Sequence, residues 1–238
     1  MSVNISLVLP CYNEEENIVL ICNEFLDLPL QKYKAELILV NNGSDDNTKS
    51  VAQKVIEKNN SRNISIKLIN IENNVGYGGG IAEGLKVAKG EYIGWSHADL
   101  QTPIIDFLKL YLLIKDKKNI LGKGVRTNNR GFDGIISRFH EKLASVILGY
   151  QMIEVNAQPK IFNKDLLKLF SNIPYKWTTI DTYVMYICLK NNIQIETIEV
   201  VFNTRKFGHS KWKNNFVSFI SHILFNLLYL FKLRFSKK

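Results

Sequence analysis

The chain has 238 residues, 46% hydrophobic and 22% charged, with five prolines; this is a globular composition, and it excludes a repeat protein or a long disordered tract. Its length allows one sizeable core, or a core with an appended segment. The net charge of +9 is local: no acidic residue follows Glu199, whereas Arg205, Lys206, Lys211, Lys213, Lys232, Arg234, Lys237 and Lys238 do, which points to a partner carrying phosphate, anionic lipid or nucleic acid.

In chain order, the first residues lack a basic stretch and have only a short apolar run, Ile5 to Leu9, before Pro10; no secretory leader is expected. ISLVLP (from Ile5) predicts a buried strand, and EEENIVLICNEFLDL (from Glu14) a helix with Ile18, Ile21, Cys22, Phe25 and Leu26 on its apolar face and Asn13 as its cap. AELILVNN is the next strand and DNTKSVAQKVIEKN the next helix. ISIKLINI is a third strand, GGGIAEGLKVAKG a third helix and EYIGWS a fourth strand. Such alternation predicts an α/β fold whose central sheet is mostly parallel and flanked by helices. Beyond Asp106 the pattern turns more helical: DFLKLYLLIK, GIISRFHEKLASVILG and TTIDTYVMYICLKNN read as helices, NILGKGVR and IQIETIEVVFN as strands. Three cysteines, Cys11, Cys22 and Cys188, contain no CxxC pair, so neither a disulfide framework nor a zinc site is expected, and a reducing cytosol suits them.

Ligands of such a sheet bind beyond the carboxyl ends of the strands. PCYNEE, NNGSDDNT, NNVGYGGG and HADLQTP follow the four strands in turn, so one polar site is expected at one sheet edge. The cluster Gly76, Gly78, Gly79, Gly80 opens a helix, whose free N–H groups favour an anion. It is not a dinucleotide fingerprint: the last glycine of GxGxxG is Ile81 or Glu83 in the two possible frames, and the cluster follows the third strand.

Together, LPCYNEEENI, ILVNNGSDDNT, NVGYGGGIAEGLKVAKGEYI, HADLQTP, GIISRFHEKLASVILG, PKIFNKDLL and RKFGHSK resemble, in order and spacing, the inverting nucleotide-sugar glycosyltransferases of family 2. Their α/β fold is called GT-A, and the nearest look-alikes transfer a sugar to dolichyl or undecaprenyl phosphate. The resemblance implies a nucleotide-sugar site at Pro10, Tyr12, Glu14, Asn41, Asn42, Gly78, Ala98 and Asp99, and a divalent cation, Mn2+ or Mg2+, at Asp99, Gln101 and His97. It implies catalytic roles for Asp99, Asp181, Arg205 and Lys211, and an acceptor-phosphate site at Arg126 and Arg138. Asp181 would be a general base for a hydroxyl acceptor, and would only position groups if the acceptor is an ionised phosphate; as a plain structural residue it would cap a helix.

Three departures matter. Where the family reads DDGS, the chain has Asn41, Asn42, Gly43 and Ser44. An amide both donates and accepts, which suits a pyrimidine better than guanine; alternatively Asn42 closes the turn before Gly43. Where the family reads DADLQ, the chain has His97, which is a metal ligand, a nucleotide or sugar contact, or a structural residue. The family's CGFKLF is AQPKIF here, departing at Gln158 and Pro159, so the acceptor side differs.

FVSFISHILFNLLYLFKLRFSKK predicts a basic amphipathic helix over 212–238, appended to a transferase domain over 1–211. Ser218, Ser221, His222, Asn226, Tyr229 and Lys232 fall on one side; Phe216, Phe219, Ile220, Ile223, Leu227, Leu230 and Phe231 fall on the other. Its apolar run is shorter than the roughly 20 residues of a spanning helix, so it is expected to lie on an anionic membrane surface or to pack on the domain or a second copy. The expected partners are thus a nucleotide-sugar donor, a lipid-linked acceptor and the cytoplasmic membrane face. Nucleic acid is not expected, since no recognition motif is present, and the oligomeric state is open. The competing readings are a transferase that extends a glycan hydroxyl, and an inactive nucleotide-sugar-binding scaffold.

Overall fold

The structure is a computed structural model and describes residues 3–30, 32–59, 61–128, 131–170, 173–174, 179–207 and 216–236. Seven strands form one sheet: β1 (Ile5–Cys11), β2 (Ala35–Asn42), β3 (Ile64–Ile71), β4 (Tyr92–Trp95), β5 (Ile120–Arg126), β6 (Lys160–Asn163) and β7 (Gln194–Val200), in the order β3-β2-β1-β4-β6-β5-β7. β1 pairs in parallel with β2 and β4, β2 with β3 and β5 with β7, whereas β6 runs antiparallel to both β4 and β5. The chain leaves β1 toward β2 and β3, then returns to β4 on the other side. That reversal places a crevice beyond the ends of β1 and β4.

β1 and β2 are buried along their whole length, or nearly so, because helices cover both faces; this is why they read as continuous apolar runs rather than alternating ones. Alternate residues serve the two layers. Leu7 and Leu9 pack with Ile18 and Phe25 of α1 (Glu15–Leu26), Ala52 of α2 (Thr48–Lys58) and Phe107 of α4 (Ile105–Ile114). Val8, Ile38 and Val40 face the other layer. It comprises Ile81 of α3 (Tyr77–Val87), Leu148 of α5 (Gly131–Leu148), Val184 of α6 (Thr179–Lys190) and Leu230 of α7 (Phe216–Phe235). The three cysteines are free and buried in these layers.

β6 is not among the strands read from the sequence, because Lys160 to Asn163, polar at both ends with two apolar residues between, neither alternates nor forms an apolar run. It is nevertheless held closely against β4: a Cβ added at Gly94 would lie 1.9 Å from the Lys160 carbonyl oxygen, so only glycine allows the two strands to meet there. A short 3-10 helix, Lys164–Leu169, follows β6.

Two expectations are corrected. Asn13 does not cap α1: the helix begins at Glu15 without a side-chain cap, and Asn13 has φ of 56°. Its side chain instead accepts from the Asp45 backbone N–H, while Asp46 and the Thr48 hydroxyl accept from the N–H groups of Glu15 and Glu14. The loop after β2 thus satisfies the open end of α1 in place of a local cap. The face of α7 is also different. Asn226, on the wheel's polar side, is buried with Leu230 and Leu233, while Ile223, Leu224, Leu228, Phe231 and Phe235 are exposed. Of the apolar side read from the wheel, Leu230 packs inward while Ile223 and Phe231 point away from the domain, as a helix lying on a membrane surface requires. The side chains of residues 216–220 and 222 lie outside the described set.

Candidate functional site

The loop after β4 carries His97, Asp99 and Gln101 into the crevice. Leu100, between the last two, has φ of 57°, a conformation that a non-glycine residue adopts at a cost on the order of 1–3 kcal/mol and that concentrates at functional sites. Asp99 is buried. Its Oδ1 accepts from the Gln101 backbone N–H at 3.1 Å, and its Oδ2 accepts from Arg205 Nη2 at 2.6 Å. Gln101 stitches this loop to the segment after β7: its side-chain amide donates to the Asn203 carbonyl at 3.0 Å and its own carbonyl accepts from the Asn203 N–H at 2.7 Å. Arg205, over a hundred residues away in sequence, is delivered to Asp99 by that seam. Ala98 is buried in the α1/α4 layer, so its contribution to the crevice is backbone only.

His97 sits between Tyr77 and Phe202, with ring centroids 5.4 and 6.4 Å away. Burial holds its imidazole below the usual range, against the pull of Asp99 and Asp181. A neutral imidazole is the form that ligates a metal or accepts a hydrogen bond.

The three other loops meet this one. Glu14 accepts from Asn17 at 2.6 Å; burial, with Asp99 adding and Asn17 and Arg205 opposing, pushes its carboxyl up to about 7. Tyr12 donates to Asp45 at 3.1 Å. Pro10 lies against the start of α3: a Cβ at Gly80 would come within 2.9 Å of the Pro10 Cβ, so Gly80 lets the N-terminal turn containing Gly78 approach the end of β1. Asn42 has both hydrogens of its amide engaged, with the Gly76 carbonyl at 3.0 Å and Asn74 Oδ1 at 3.4 Å, and its oxygen accepts from the Val75 N–H at 3.0 Å. It holds the β3–α3 loop, and a carboxylate could not donate to Gly76. Nor does it close the turn before Gly43; Asn41 does, accepting from the Ser44 N–H at 3.4 Å while donating to Asn70 at 3.1 Å. With Asn42 committed inside the protein, its amide offers no hydrogen with which to choose a base.

On the far side of the crevice, Asp181 is the third residue of α6 and is buried. It does not cap the helix. Its Oδ1 accepts from Lys160 Nζ at 2.6 Å, Gln158 Nε2 at 2.9 Å and Trp95 Nε1 at 3.2 Å, while its Oδ2 is buried with no partner. Gln158 also donates to the Tyr77 hydroxyl at 3.1 Å. Arg126, at the end of β5, donates through Nε to Glu154 at 2.5 Å and lies over the Phe202 ring, 5.7 Å from its centroid. Arg138 is exposed on α5. Lys211 lies outside the described residues.

The sequence reading did not single out Lys160, Glu154, Trp95, Tyr77 or Lys123. A lysine inside the short apolar run PKIFN was the available signal for Lys160, since an unpaired buried ammonium is untenable. Lys123, in mid-β5, had the same signature. It is buried, donating to the Ile153 carbonyl at 2.9 Å, and burial, with Lys160 adding and Glu154 opposing, pushes its ammonium down to about 7. An unfolded lysine titrates near about 10.4, so between these values the unfolded chain binds the additional proton and stability rises with pH. Above about pH 9 the thiols of Cys22 and Cys188, pushed up to about 12 by burial, oppose the trend because they ionise first in the unfolded chain. Denaturant titrations between about pH 7 and 9 are expected to show stability increasing in the wild type and flattened in Lys123→Met; equal slopes would reject the assignment.

Among the described residues, no three His, Cys, Asp or Glu side chains cluster as a self-contained metal cage. The donor set of Asp99, Gln101 and His97 fits a different kind of site. It supplies one carboxylate, one amide and one neutral imidazole, and the carboxylate already holds a cation, the Arg205 guanidinium. A divalent ion there would take the remainder of its oxygen ligands from a bound diphosphate.

The model of glycosyl transferase family 2 matches residues 6–177, and the chain belongs to that family. A dolichyl-phosphate beta-glucosyltransferase of Trichomonas vaginalis is 28% identical over 220 residues, covering 84% of this chain and 66% of that one. An undecaprenyl-phosphate 4-deoxy-4-formamido-L-arabinose transferase of Pectobacterium carotovorum is 26% identical over 233 residues, 95% of this chain and 65% of that one. The chain thus spans just under two thirds of these relatives' length. Among solved structures, glucosyl-3-phosphoglycerate synthase of Mycobacterium tuberculosis, in complex with Mn2+, UDP and glucosyl-3-phosphoglycerate, superimposes with a TM-score of 0.69 at 17% identity, over 98% of this chain and 80% of that one. The mannosyltransferase of Pyrobaculum calidifontis with GDP-Man and Mn2+ gives 0.66 at 16%, over 99% and 71%. The fold is GT-A, as the sequence resemblance implied.

Proposed function

We propose that the chain is a metal-dependent inverting glycosyltransferase that moves a sugar from a nucleotide-sugar to a polyprenyl phosphate. The observation that carries this reading is the state of Asp181. The carboxylate that would have to take a proton from a hydroxyl acceptor is buried, with one oxygen held by Lys160, Gln158 and Trp95 and the other shut off from solvent. An acceptor that arrives ionised needs no base, and phosphate is such an acceptor. Relatives named as dolichyl- and undecaprenyl-phosphate transferases support the same choice.

In this reading an acceptor phosphate oxygen attacks the anomeric carbon from the face opposite the donor diphosphate, and the electron pair of the broken C–O bond leaves with that diphosphate. Asp99, Gln101 and His97 would hold the cation, whose chemistry would be to neutralise the charge gathering on the leaving group. Arg205, already within 2.6 Å of Asp99, and Lys211 supply the remaining positive charge. Glu14, Tyr12, Pro10, Asn41 and the N-terminal turn of α3 enclose the nucleotide.

The acceptor would be met on a membrane surface of the cytoplasm. Among the described residues no helix is long and apolar enough to cross a membrane. The neighbouring α5 and α7 instead expose Ile135, Phe139, Val146, Leu224, Leu228, Phe231 and Phe235, interspersed with the exposed cations Arg138, Lys142, Lys232 and Arg234. Apolar side chains with basic neighbours suit the headgroup region of an anionic leaflet.

The test is sugar transfer from a panel of nucleotide-sugars with Mn2+, to undecaprenyl or dolichyl phosphate in vesicles with and without anionic lipid, and to free oligosaccharides. Transfer to the lipid phosphate, strengthened by anionic lipid, is expected. Transfer only to an oligosaccharide hydroxyl would reject the acceptor, and nucleotide binding without any transfer would favour the scaffold.

A further inference from the structure

Arg126 is held in an unusual way. Its backbone N–H, at 3.4 Å, and its side-chain Nε, at 2.5 Å, both donate to the same oxygen, Oε2 of Glu154. The Phe202 ring lies against the guanidinium. A carboxylate meeting arginine for strength alone takes the bidentate approach, two parallel N–H groups on two oxygens. Here the grip is through Nε, and Nη2 is left buried without a partner.

The loop that carries Glu154 is itself fixed. Lys123 Nζ donates to the carbonyl of Ile153 at 2.9 Å, and the Glu154 carbonyl accepts from the Ala157 N–H at 3.1 Å. Glu154 has φ of 46°, left-handed backbone for a residue with a Cβ, which persists only where surrounding contacts impose it. Two residues of β5, Lys123 and Arg126, thus fasten two consecutive loop residues, Ile153 and Glu154. Pair and loop form a rigid bracket whose free end is a buried donor, and a buried donor left unpaired is costly. An oxyanion bound at Nη2 removes that cost.

Resting on the polyprenyl-phosphate reading above, we propose that Glu154 is a positioning residue: it fixes the Arg126 guanidinium through Nε so that Nη2 takes the acceptor phosphate. Glu154 touches neither substrate. A carboxylate that blocked the phosphate would take Nη2 itself, whereas this one is held by Nε and the backbone N–H.

The experiment measures calorimetric affinity for geranyl phosphate, a water-soluble isoprenyl monophosphate, and separately for UDP or GDP with Mn2+, in wild type, Glu154→Ala and Glu154→Gln. Expected is a loss of about 10-fold or more in geranyl phosphate affinity for Glu154→Ala, with nucleotide affinity changed less than about twofold. Glu154→Gln retains an oxygen for Nε and should fall between; it also serves if the alanine variant does not fold. Unchanged or tighter geranyl phosphate binding in both variants overturns the proposal, because Glu154 would then be a bystander or a competitor. A parallel loss of both ligands overturns it as well, since that is the mark of a general structural role. If the wild type binds nucleotide but no geranyl phosphate, the acceptor reading fails and the proposal falls with it.

Discussion

Lys160→Met is expected to destabilise the protein by about 3–5 kcal/mol, the cost of leaving a buried carboxylate without its counter-charge. Lys160 and Asp181 side chains are 0% and 1% exposed and meet at 2.6 Å. Removing the ammonium leaves Asp181 with two neutral donors, Gln158 and Trp95, which solvate a charge poorly in an apolar layer. The double variant Lys160→Met/Asp181→Asn should recover most of the loss. An asparagine in place of Asp181 still accepts from Gln158 and Trp95, carries no charge, and can turn its amide hydrogens toward the place of the orphaned Oδ2. Urea unfolding of the wild type, both single variants and the double variant would give the coupling, expected at about 2 kcal/mol or more. Additive losses would mean that the pair is not an isolated charge unit. The same set also bears on mechanism: a general base replaced by asparagine loses about 100-fold or more in rate, whereas a positioning carboxylate in the double variant should lose far less.

The parts of the fold visible in the sequence are those whose signal is local. β2 (Ala35–Asn42) and β3 (Ile64–Ile71) begin and end where the segments AELILVNN and ISIKLINI do, and the four polar loops mark the crevice because parallel strands carry their carboxyl ends to one edge. What the sequence conceals is set by distant partners. Asn13 looks like a cap until the loop after β2 is seen to supply Asp46 and Thr48 instead. Asn42 looks like a base reader, yet its partners are residues 74–76, over thirty positions away. A helical wheel places Asn226 on the outer face of α7 because it assumes that polarity faces water; beside α5 and α6 the helix turns Asn226 inward and leaves Leu228 68% exposed. β6 is four residues long, and its lysine acquires meaning only when Asp181 arrives from α6.

For Asp99, substitution with asparagine is expected to act in opposite directions with and without metal. With Mn2+, UDP or GDP affinity should fall on the order of 100-fold and sugar transfer by at least as much, because the loop then offers only neutral ligands: the introduced amide, the amide of Gln101 and the imidazole of His97, whose ring burial keeps uncharged. Hard divalent cations bind weakly to such a set. With chelator the sign reverses. Asp99 now occupies Arg205 at 2.6 Å and presents a negative charge to an incoming diphosphate. The Asp99→Asn variant removes that charge and frees the guanidinium, so nucleotide binding without metal should tighten by several-fold, about 1 kcal/mol for a partly exposed pair in which the Arg205 side chain is 27% exposed. Calorimetry of both proteins in Mn2+ and in chelator resolves the two effects. Weakened binding in both conditions would mean that Asp99 supports the loop rather than a cation, and equal binding in both would remove it from the donor site. The opposite-sign result alone requires Arg205 and the metal to compete for one carboxylate, with the diphosphate collecting whichever cation the carboxylate releases.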